Sequence, residues 1–362
     1  MGDRSNIEWC DATWNPLVGC TRVSPGCSNC YAERDALRLA SNPRAEVSGL
    51  YRRTVRRASD GSPRWTGVVN LATERLEQPL RWRNPRRVFV NSMSDLFHES
   101  VPDEWVDRVF AAMALAPRHT FQVLTKRAAR MRAYLTNPDV QARIVAAADV
   151  LWHAHAQSDA RGFRLVENRF ARIGEPVWVL ESFTAWPLPH VWLLTSVETQ
   201  QAADERIPEL LAAPAAVRGV SCEPLLGPIQ LYDDDWTFTD YLRGVERCQG
   251  SKRPLPGKLD WVIVGGESGP RARPMHPQWA RDVRDQCATA GVAFFFKQWG
   301  TWVPAADGEP GAEVVWIYPE MGDRACVARA GDPVSMRRVK SKRAHALDGV
   351  EHRAFPAEGA AP

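Results

Sequence analysis

Three cysteines crowd into eleven residues near the start of the chain. They lie in Gly19-Cys20-Thr-Arg-Val-Ser-Pro25-Gly26-Cys27-Ser-Asn-Cys30-Tyr31, with the spacing C-x6-C-x2-C. Two thiolates separated by two residues converge on one metal ion or cluster when a tight turn or a helix start brings both sulfurs to one side. Pro25-Gly26 is a turn signal that folds the longer gap back toward the pair. A helix is expected to start after Cys30, and its N-terminal dipole favours thiolates and an anionic cluster. Structural zinc usually takes four ligands, so three close thiols point instead to a [4Fe–4S] cluster with one iron left open. An open iron could chelate the amino and carboxylate groups of S-adenosylmethionine (SAM), and an electron from the cluster would cleave the sulfonium to a 5′-deoxyadenosyl radical. Two other readings stay open: a zinc site completed by Cys10 or a histidine, and no metal at all.

A second set of candidate groups recurs at the ends of apolar runs. Thr195-Ser-Val-Glu198, Val220-Ser-Cys-Glu223-Pro and Val264-Gly-Gly-Glu267-Ser-Gly each pass from an apolar run through small residues to a glutamate. Asp95, Lys126 and Lys297 stand at corresponding positions. In parallel α/β folds, ligands bind at the C-terminal strand ends, so these groups are expected to converge on one cavity. There the carboxylates could receive the SAM ammonium, ribose hydroxyls or a substrate amine; buried carboxylate–lysine pairs without chemistry are the alternative. Gly265-Gly266 would let a ligand approach the backbone closely. Cys222 is either a hydrogen-atom donor in radical chemistry or a buried inert thiol, and the second is the better reading. His98 and His276 flank the expected site loops and are read as structural histidines.

The elements that must position these groups are legible as short runs rich in β-branched and aromatic residues. They are residues 87–92, 120–125, 191–197, 217–222, 261–265 and 292–297, with a further candidate strand near Ile7 to Trp14. Near-continuous apolar runs of this length suit buried parallel strands. Helical spacing lies between them: Val106, Val109, Phe110 and Met113 within Asp103 to Ala116, preceded by Pro102, and Pro277 to Ala290, closed by Gly291. Strand–helix alternation gives an α/β fold, doubly wound or barrel. A helical insertion is expected around 138–189, a polar loop excursion over Asp233 to Pro256, and a C-terminal extension over 305–362 after a main domain of 1–304.

The chain has 362 residues, 44% of them hydrophobic and 25% charged, as expected of a globular protein with a substantial core. It has no apolar leader and no run long enough to span a membrane, so it is expected to be cytoplasmic, and its eight cysteines are not expected to form disulfides. Most of the 15 tryptophans are expected in the core. The net charge of +3 hides an asymmetry: Arg34 to Arg87 holds thirteen arginines and no lysine, against five acids. A second basic run, Arg337, Arg338, Lys340, Lys342 and Arg343, lies near the C-terminus. Such clusters face phosphates or form a solvated, salt-bridged surface.

Several long strings together resemble one family. Thr13 to Glu33, Val90-Asn-Ser-Met-Ser-Asp-Leu-Phe-His98, Phe121-Gln-Val-Leu-Thr-Lys-Arg127, Ser221-Cys-Glu-Pro-Leu-Leu-Gly-Pro228, Val262-Ile-Val-Gly-Gly-Glu-Ser-Gly269 and Phe295-Phe-Lys-Gln-Trp-Gly300 resemble the phage Gp37/Gp68-like, or three-Cys-motif (DUF5131-type), proteins. The resemblance runs from about Asn6 to Trp302, with an echo at Leu347-Asp-Gly349. It implies a divergent branch of the radical SAM proteins, a partial (β/α) barrel of about six parallel strands, and a separate protein partner. Carried onto this sequence, the cluster ligands would be Cys20, Cys27 and Cys30. The first gap of six departs from the C-x3-C-x2-C of most radical SAM enzymes.

Together these readings make the protein a radical SAM-type enzyme. Tyr31, Ser94, Asp95, Gly265, Gly266 and Ser268 would contact the cofactor, and Glu198, Glu223, Glu267, Lys126, Lys297 and Cys222 would serve the chemistry. An external electron donor is required. The substrate would be a nucleic acid or nucleobase, in a modification or repair reaction, gripped through the Arg34–Arg87 region. The rival is a zinc- or cluster-containing nucleic-acid-binding protein without SAM chemistry; a third reading is an iron–sulfur protein that performs redox or light-driven repair.

Overall fold

The structure is a computed structural model that describes residues 5–158, 185–232, 239–248, 251–305, 314–317, 334–339 and 344–357. Seven strands, β1 (Ala12–Trp14), β2 (Arg87–Val90), β3 (Thr120–Thr125), β4 (Val191–Ser196), β5 (Val217–Cys222), β6 (Trp261–Gly265) and β7 (Ala293–Gln298), form one sheet in chain order. Every neighbouring pair is parallel. The sheet curls into a half-barrel, and β1 and β7 do not pair, so the wall stays open. The expected partial barrel is therefore present, with β1 as a seventh strand.

The two-residue period of a strand explains what fills each face. Val88, Val123, Leu193, Val220, Val264 and Phe296 point to one face and join the main core with the helices. Phe89, Leu124, Trp192, Leu194, Ile263 and Phe295 point to the other, where Trp9 and Trp261 complete an aromatic floor. Trp261 meets Trp192 edge-on at 5.7 Å between ring centroids and Phe295 at 6.2 Å. Continuing the same two-residue period past this floor places Lys126, Glu198, Glu223 and Lys297 on the same interior face, at its C-terminal end.

The main helices are α1 (Tyr31–Ala40), α2 (Asp103–Ala114), α3 (Ala128–Leu135), α4 (Val140–Ser158), α5 (Gln200–Ala212) and α6 (Pro277–Ala290), besides the shorter helices Ala45–Tyr51 and Gln78–Arg81. In α2, Pro102 stands at the N-cap, Asp103 and Glu104 suit the first turn, and Val106, Val109, Phe110 and Met113 are buried. In α5, the Thr199 hydroxyl accepts from the Ala202 N–H, so the helix cap is the residue after Glu198. In α6, proline opens the helix and Gly291 closes it in the left-handed region.

Of the insertion expected around 138–189, residues 140–158 form α4, which packs Val140, Ile144, Ala148 and Leu151 into the main core, and residues 159–184 lie outside the described residues. The expected loop excursion instead contains a three-stranded antiparallel ribbon, Thr239–Asp240, Val245–Cys248 and Ser251–Pro254, whose outer strand is exposed along its length. The C-terminal segment lies against the main domain: Met336 and Leu347 join the main core, and Phe355 packs on Trp261 at 5.2 Å. It covers the free edge of β7, where Phe296 N donates to the His352 carbonyl. Of the basic run there, Lys340, Lys342 and Arg343 lie outside the described residues.

Candidate functional site

The cysteine loop leaves the sheet at Gly19, whose N–H donates to the Met93 carbonyl. Gly19 has φ +106°, and a Cβ there would stand 2.2 Å from the Val68 carbonyl oxygen, so only glycine fits. Pro25–Cys27 makes a single 3-10 turn, Cys30 N donates to the Cys27 carbonyl, and Cys30 is the N-cap of α1. The helix start expected after Cys30 is thus in place. Cys20, Cys27 and Cys30 are free thiols that keep partial exposure. Burial pushes the Cys20 thiol up to about 12, the Asp95 charge adds to this, and Arg127, with Nη1 3.9 Å from Sγ, opposes it. Burial also raises Cys30, against the pull of the Glu33 and Ala32 backbone N–H groups in the first turn of α1.

Two of the predicted carboxylates hold this loop. Glu198 is fully buried at the end of β4. Its Oε2 accepts from Lys126 Nζ at 2.9 Å and Arg206 Nη1 at 3.1 Å. Burial alone would raise its pKa, but Lys126 and Arg206 reverse this and hold it at about 2. The Ser24 hydroxyl adds to the effect without a well-formed bond, since Oε1 has no hydrogen-bond partner among the described residues. The loop rests on this group: a Cβ on Gly26 would meet the carboxylate carbon of Glu198 at 2.9 Å. Glu267 takes a fork from Arg273, Nη2 to Oε1 at 2.7 Å and Nε to Oε2 at 2.9 Å, with Asn29 Nδ2 on Oε2 at 3.0 Å. Burial would raise Glu267 too, and Arg273 and Asn29 bring it below the ordinary carboxylate range. Arg273 Nη2 also donates to the Pro25 carbonyl at 3.0 Å, and Asn29 Nδ2 to the Arg271 carbonyl at 2.8 Å. Glu198 supports the loop from below while Glu267, through Arg273 and Asn29, clasps its side.

Glu223 differs. Among the described residues its one ionic partner is Lys297, Nζ to Oε1 at 2.5 Å, and both side chains remain 17–18% exposed. The pair spans β6 above Gly265, where a Cβ would stand 3.1 Å from Glu223 Oε1. Tyr31 is 43% exposed, and its hydroxyl donates to the Ser92 carbonyl at 2.9 Å.

The remaining predicted site residues fall into two groups. Asp95 is buried and accepts from Thr125 Oγ1, the Phe97 and Lys126 N–H groups and Arg127 Nη1, so its oxygens are committed to the protein. The Ser94 hydroxyl donates to the Leu17 carbonyl, and the Ser268 hydroxyl accepts from Gln298 Nε2. Gly265-Gly266 does not hold its backbone open for a ligand as expected: at Gly266 the Trp299 carbonyl oxygen would be 2.0 Å from a Cβ, and at Gly265 the Glu223 carboxylate closes in, so the chain itself uses that space. Cys222 faces the helices in the main core, fully buried, and burial pushes its thiol far up, which leaves no opening onto the interior face. Cys10 packs in the aromatic floor and donates to Ser5 Oγ. His98 Nδ1 accepts from the Ser100 N–H, and its Nε2 lies 3.0 Å from Thr21 Oγ1.

Sequence reasoning missed Arg127, Arg206 and Arg273 as partners. Arg206 lies eight residues after Glu198, two turns into α5, which faces it back to the strand end, so a strand–glutamate–helix register carried that signal. The Arg273 loop has no periodicity and gave none.

Among the described residues no three His, Cys, Asp or Glu side chains close into a ligand shell for a single metal ion. The donor chemistry nonetheless suits a cluster. Three thiols come from one loop, one of them at a helix N-terminus and one beside a guanidinium, and burial makes a bare thiolate there costly until cationic irons offset it.

Fold and site define a parallel α/β half-barrel with a three-thiol loop clasped onto the C-terminal strand ends. The chain belongs to the family described as "Protein of unknown function (DUF5131)", whose model matches residues 4–356. No curated protein and no solved structure matches it. No helix among the described residues is long and apolar enough to cross a membrane.

Proposed function

We propose that the protein is an iron–sulfur, radical SAM-type enzyme that acts on a nucleic acid or nucleobase. The observation that supports this reading is the seating of the cysteine loop: Gly26 rests on Glu198 and the Pro25 carbonyl accepts from Arg273, which holds the loop bearing Cys20, Cys27 and Cys30 against the C-terminal strand ends, where the partly exposed Glu223–Lys297 pair also stands. Cys20, Cys27 and Cys30 would hold a [4Fe–4S] cluster, which with SAM bound supplies one-electron cleavage of the sulfonium to a 5′-deoxyadenosyl radical.

The chain's own residues do the rest. The start of α1 and Arg127 favour negative charge at the thiols. The exposed Tyr31 ring, next in the chain to Cys30, would offer a face to the adenosyl group. Glu223 and Lys297 present one acceptor and one donor to a substrate, and the aromatic floor beneath them excludes water. An external electron donor and a separate protein partner belong to this proposal. The arginine excess between Arg34 and Arg87 motivates the substrate class.

The test is anaerobic purification and cluster reconstitution, followed by iron and sulfide analysis and an assay for 5′-deoxyadenosine after adding SAM and dithionite. Iron and sulfide near four per chain, with product that disappears in a Cys27→Ala, Cys30→Ala variant, is the expected result. One zinc per chain and no cleavage would overturn the reading in favour of a metal-stapled binding protein. A stable cluster without cleavage would overturn it in favour of SAM-independent redox chemistry.

A further inference from the structure

The arginines between Arg34 and Arg87 are of two kinds. Arg75, Arg81 and Arg87 each donate to a named protein oxygen. Arg34, Arg44, Arg52, Arg53 and Arg56 are exposed, and their guanidinium groups make no hydrogen bond or close ion pair among the described residues. All five lie on one small lobe built on α1: the helix Ala45–Tyr51, the turn after it, and the hairpin Val55–Arg57/Pro63–Trp65, held by a separate core of Ala36, Tyr51, Val55 and Met93.

The hairpin register sharpens the point. Arg56 stands directly opposite Arg64 on the same face of a two-stranded ribbon. Like charges at paired positions destabilise a ribbon, and among the described residues Arg64 is eased only by Asp60 at 3.6 Å. An anionic partner lying along that face would turn the repulsion into attraction. Guanidinium in place of ammonium throughout suits bidentate contact with phosphate oxygens.

The lobe is tied to the cysteine site at two points. Buried Glu33 accepts from the Trp65 backbone N–H of the hairpin at 3.1 Å and from Arg22 Nε of the cysteine loop at 2.9 Å. At the hairpin turn, Asp60 lies 4.0 Å from Arg271, in the loop after β6 that clasps the cysteine loop. Arg34 continues the path, with Nη1 3.3 Å from the Cβ position of Gly269.

We propose that this lobe binds the sugar–phosphate backbone of a polymeric nucleic acid and runs it past the mouth of the half-barrel, so that the substrate is a base within a strand and not a free nucleoside. The inference rests on the nucleic-acid part of the function proposed above and is independent of SAM cleavage.

Fluorescence anisotropy with a labelled oligothymidylate of about twenty nucleotides, over about 50–200 mM salt, tests it in the full-length protein. An Arg52→Gln, Arg53→Gln, Arg56→Gln variant is the comparison, with the circular dichroism melt, iron content and SAM cleavage measured alongside. Wild-type binding is expected to weaken with salt. The variant should bind at least about tenfold more weakly, with a log–log slope shallower by about two, at roughly 0.7 per lost phosphate contact. Its melt and SAM cleavage should be unchanged.

Equal affinity and slope in wild type and variant would overturn the proposal, as would tighter binding of thymidine monophosphate than of the oligomer. Binding to phosphatidylserine vesicles but not to oligonucleotide would overturn it in favour of a membrane surface. SAM cleavage without oligonucleotide binding sinks this inference and leaves the enzyme reading standing; binding without cleavage does the reverse.

Discussion

Glu198 and Glu223 stand on adjacent parallel strands, each after an apolar run and small residues, yet they do opposite things. Glu198 is sealed beneath the cysteine loop between Lys126 and Arg206 and is held ionised. Glu223 faces partly solvated space with Lys297. The difference comes from the crossovers. After β4 the chain enters α5 at once, and the second turn of α5 brings Arg206 back to the strand end. After β5 the chain leaves through Pro224 and Leu225 into a longer excursion that, among the described residues, brings no cation to Glu223, so its ionic partner there is the Lys297 that reaches across from β7. The strand pattern sets where a carboxylate sits, and the connection that follows sets whether it supports the loop or remains accessible.

If Glu198 is a support, its loss is the most damaging change. Glu198→Ala leaves Lys126 and Arg206 facing each other without a counter-charge and is expected to cost about 3–5 kcal/mol in urea unfolding. Acid should tell the same story. The folded pKa of about 2 lies below the ordinary 4.5. The ionised group therefore stabilises the fold fully above about pH 4.5, and the contribution fades as pH falls toward about 2. A Glu198→Gln variant should be roughly 3 kcal/mol less stable than wild type near neutrality, with the gap closing as the pH is lowered. A gap independent of pH would break the assignment.

The clasp comes next in size. Arg273→Met removes the fork on Glu267 and the bond to the Pro25 carbonyl, at an expected cost of about 2 kcal/mol. Its specific signature is in the loop: labelling of the cysteine thiols by a disulfide reagent should quicken at least about tenfold, as expected for a loosened segment. Destabilisation with unchanged thiol labelling would mean that Arg273 is a general structural residue and not a clasp.

The sequence carried the strands, the start of α1 and the caps of α2 and α6, because apolar periodicity, proline and glycine act locally. It also placed Glu198, Glu223 and Glu267 at strand ends. It could not separate them, since Arg206 and Arg273 reach Glu198 and Glu267 through tertiary geometry that no local pattern encodes. The tail was unreadable for a similar reason. Phe355 and the His352 carbonyl serve the floor and edge of strands far back in the chain, and their own neighbourhood shows no period. Gly265-Gly266 misled because a bare backbone signals close approach without saying by what.

The smallest effects on stability are expected at the accessible pair, and they sharpen the contrast most. Lys297→Met and Glu223→Gln should each change stability by less than about 1 kcal/mol, because both groups keep contact with water. Gly265→Ala should cost still less, since its Cβ would press on the carboxylate at 3.1 Å and a partly solvated side chain can yield. Lys297→Met and Glu223→Gln should retain iron content and SAM cleavage while losing about 100-fold or more of substrate conversion, the range for removing a positioned acid–base group. If Glu223→Gln instead melts the protein as severely as Glu198→Ala, the two carboxylates play the same structural part and the division drawn between them fails.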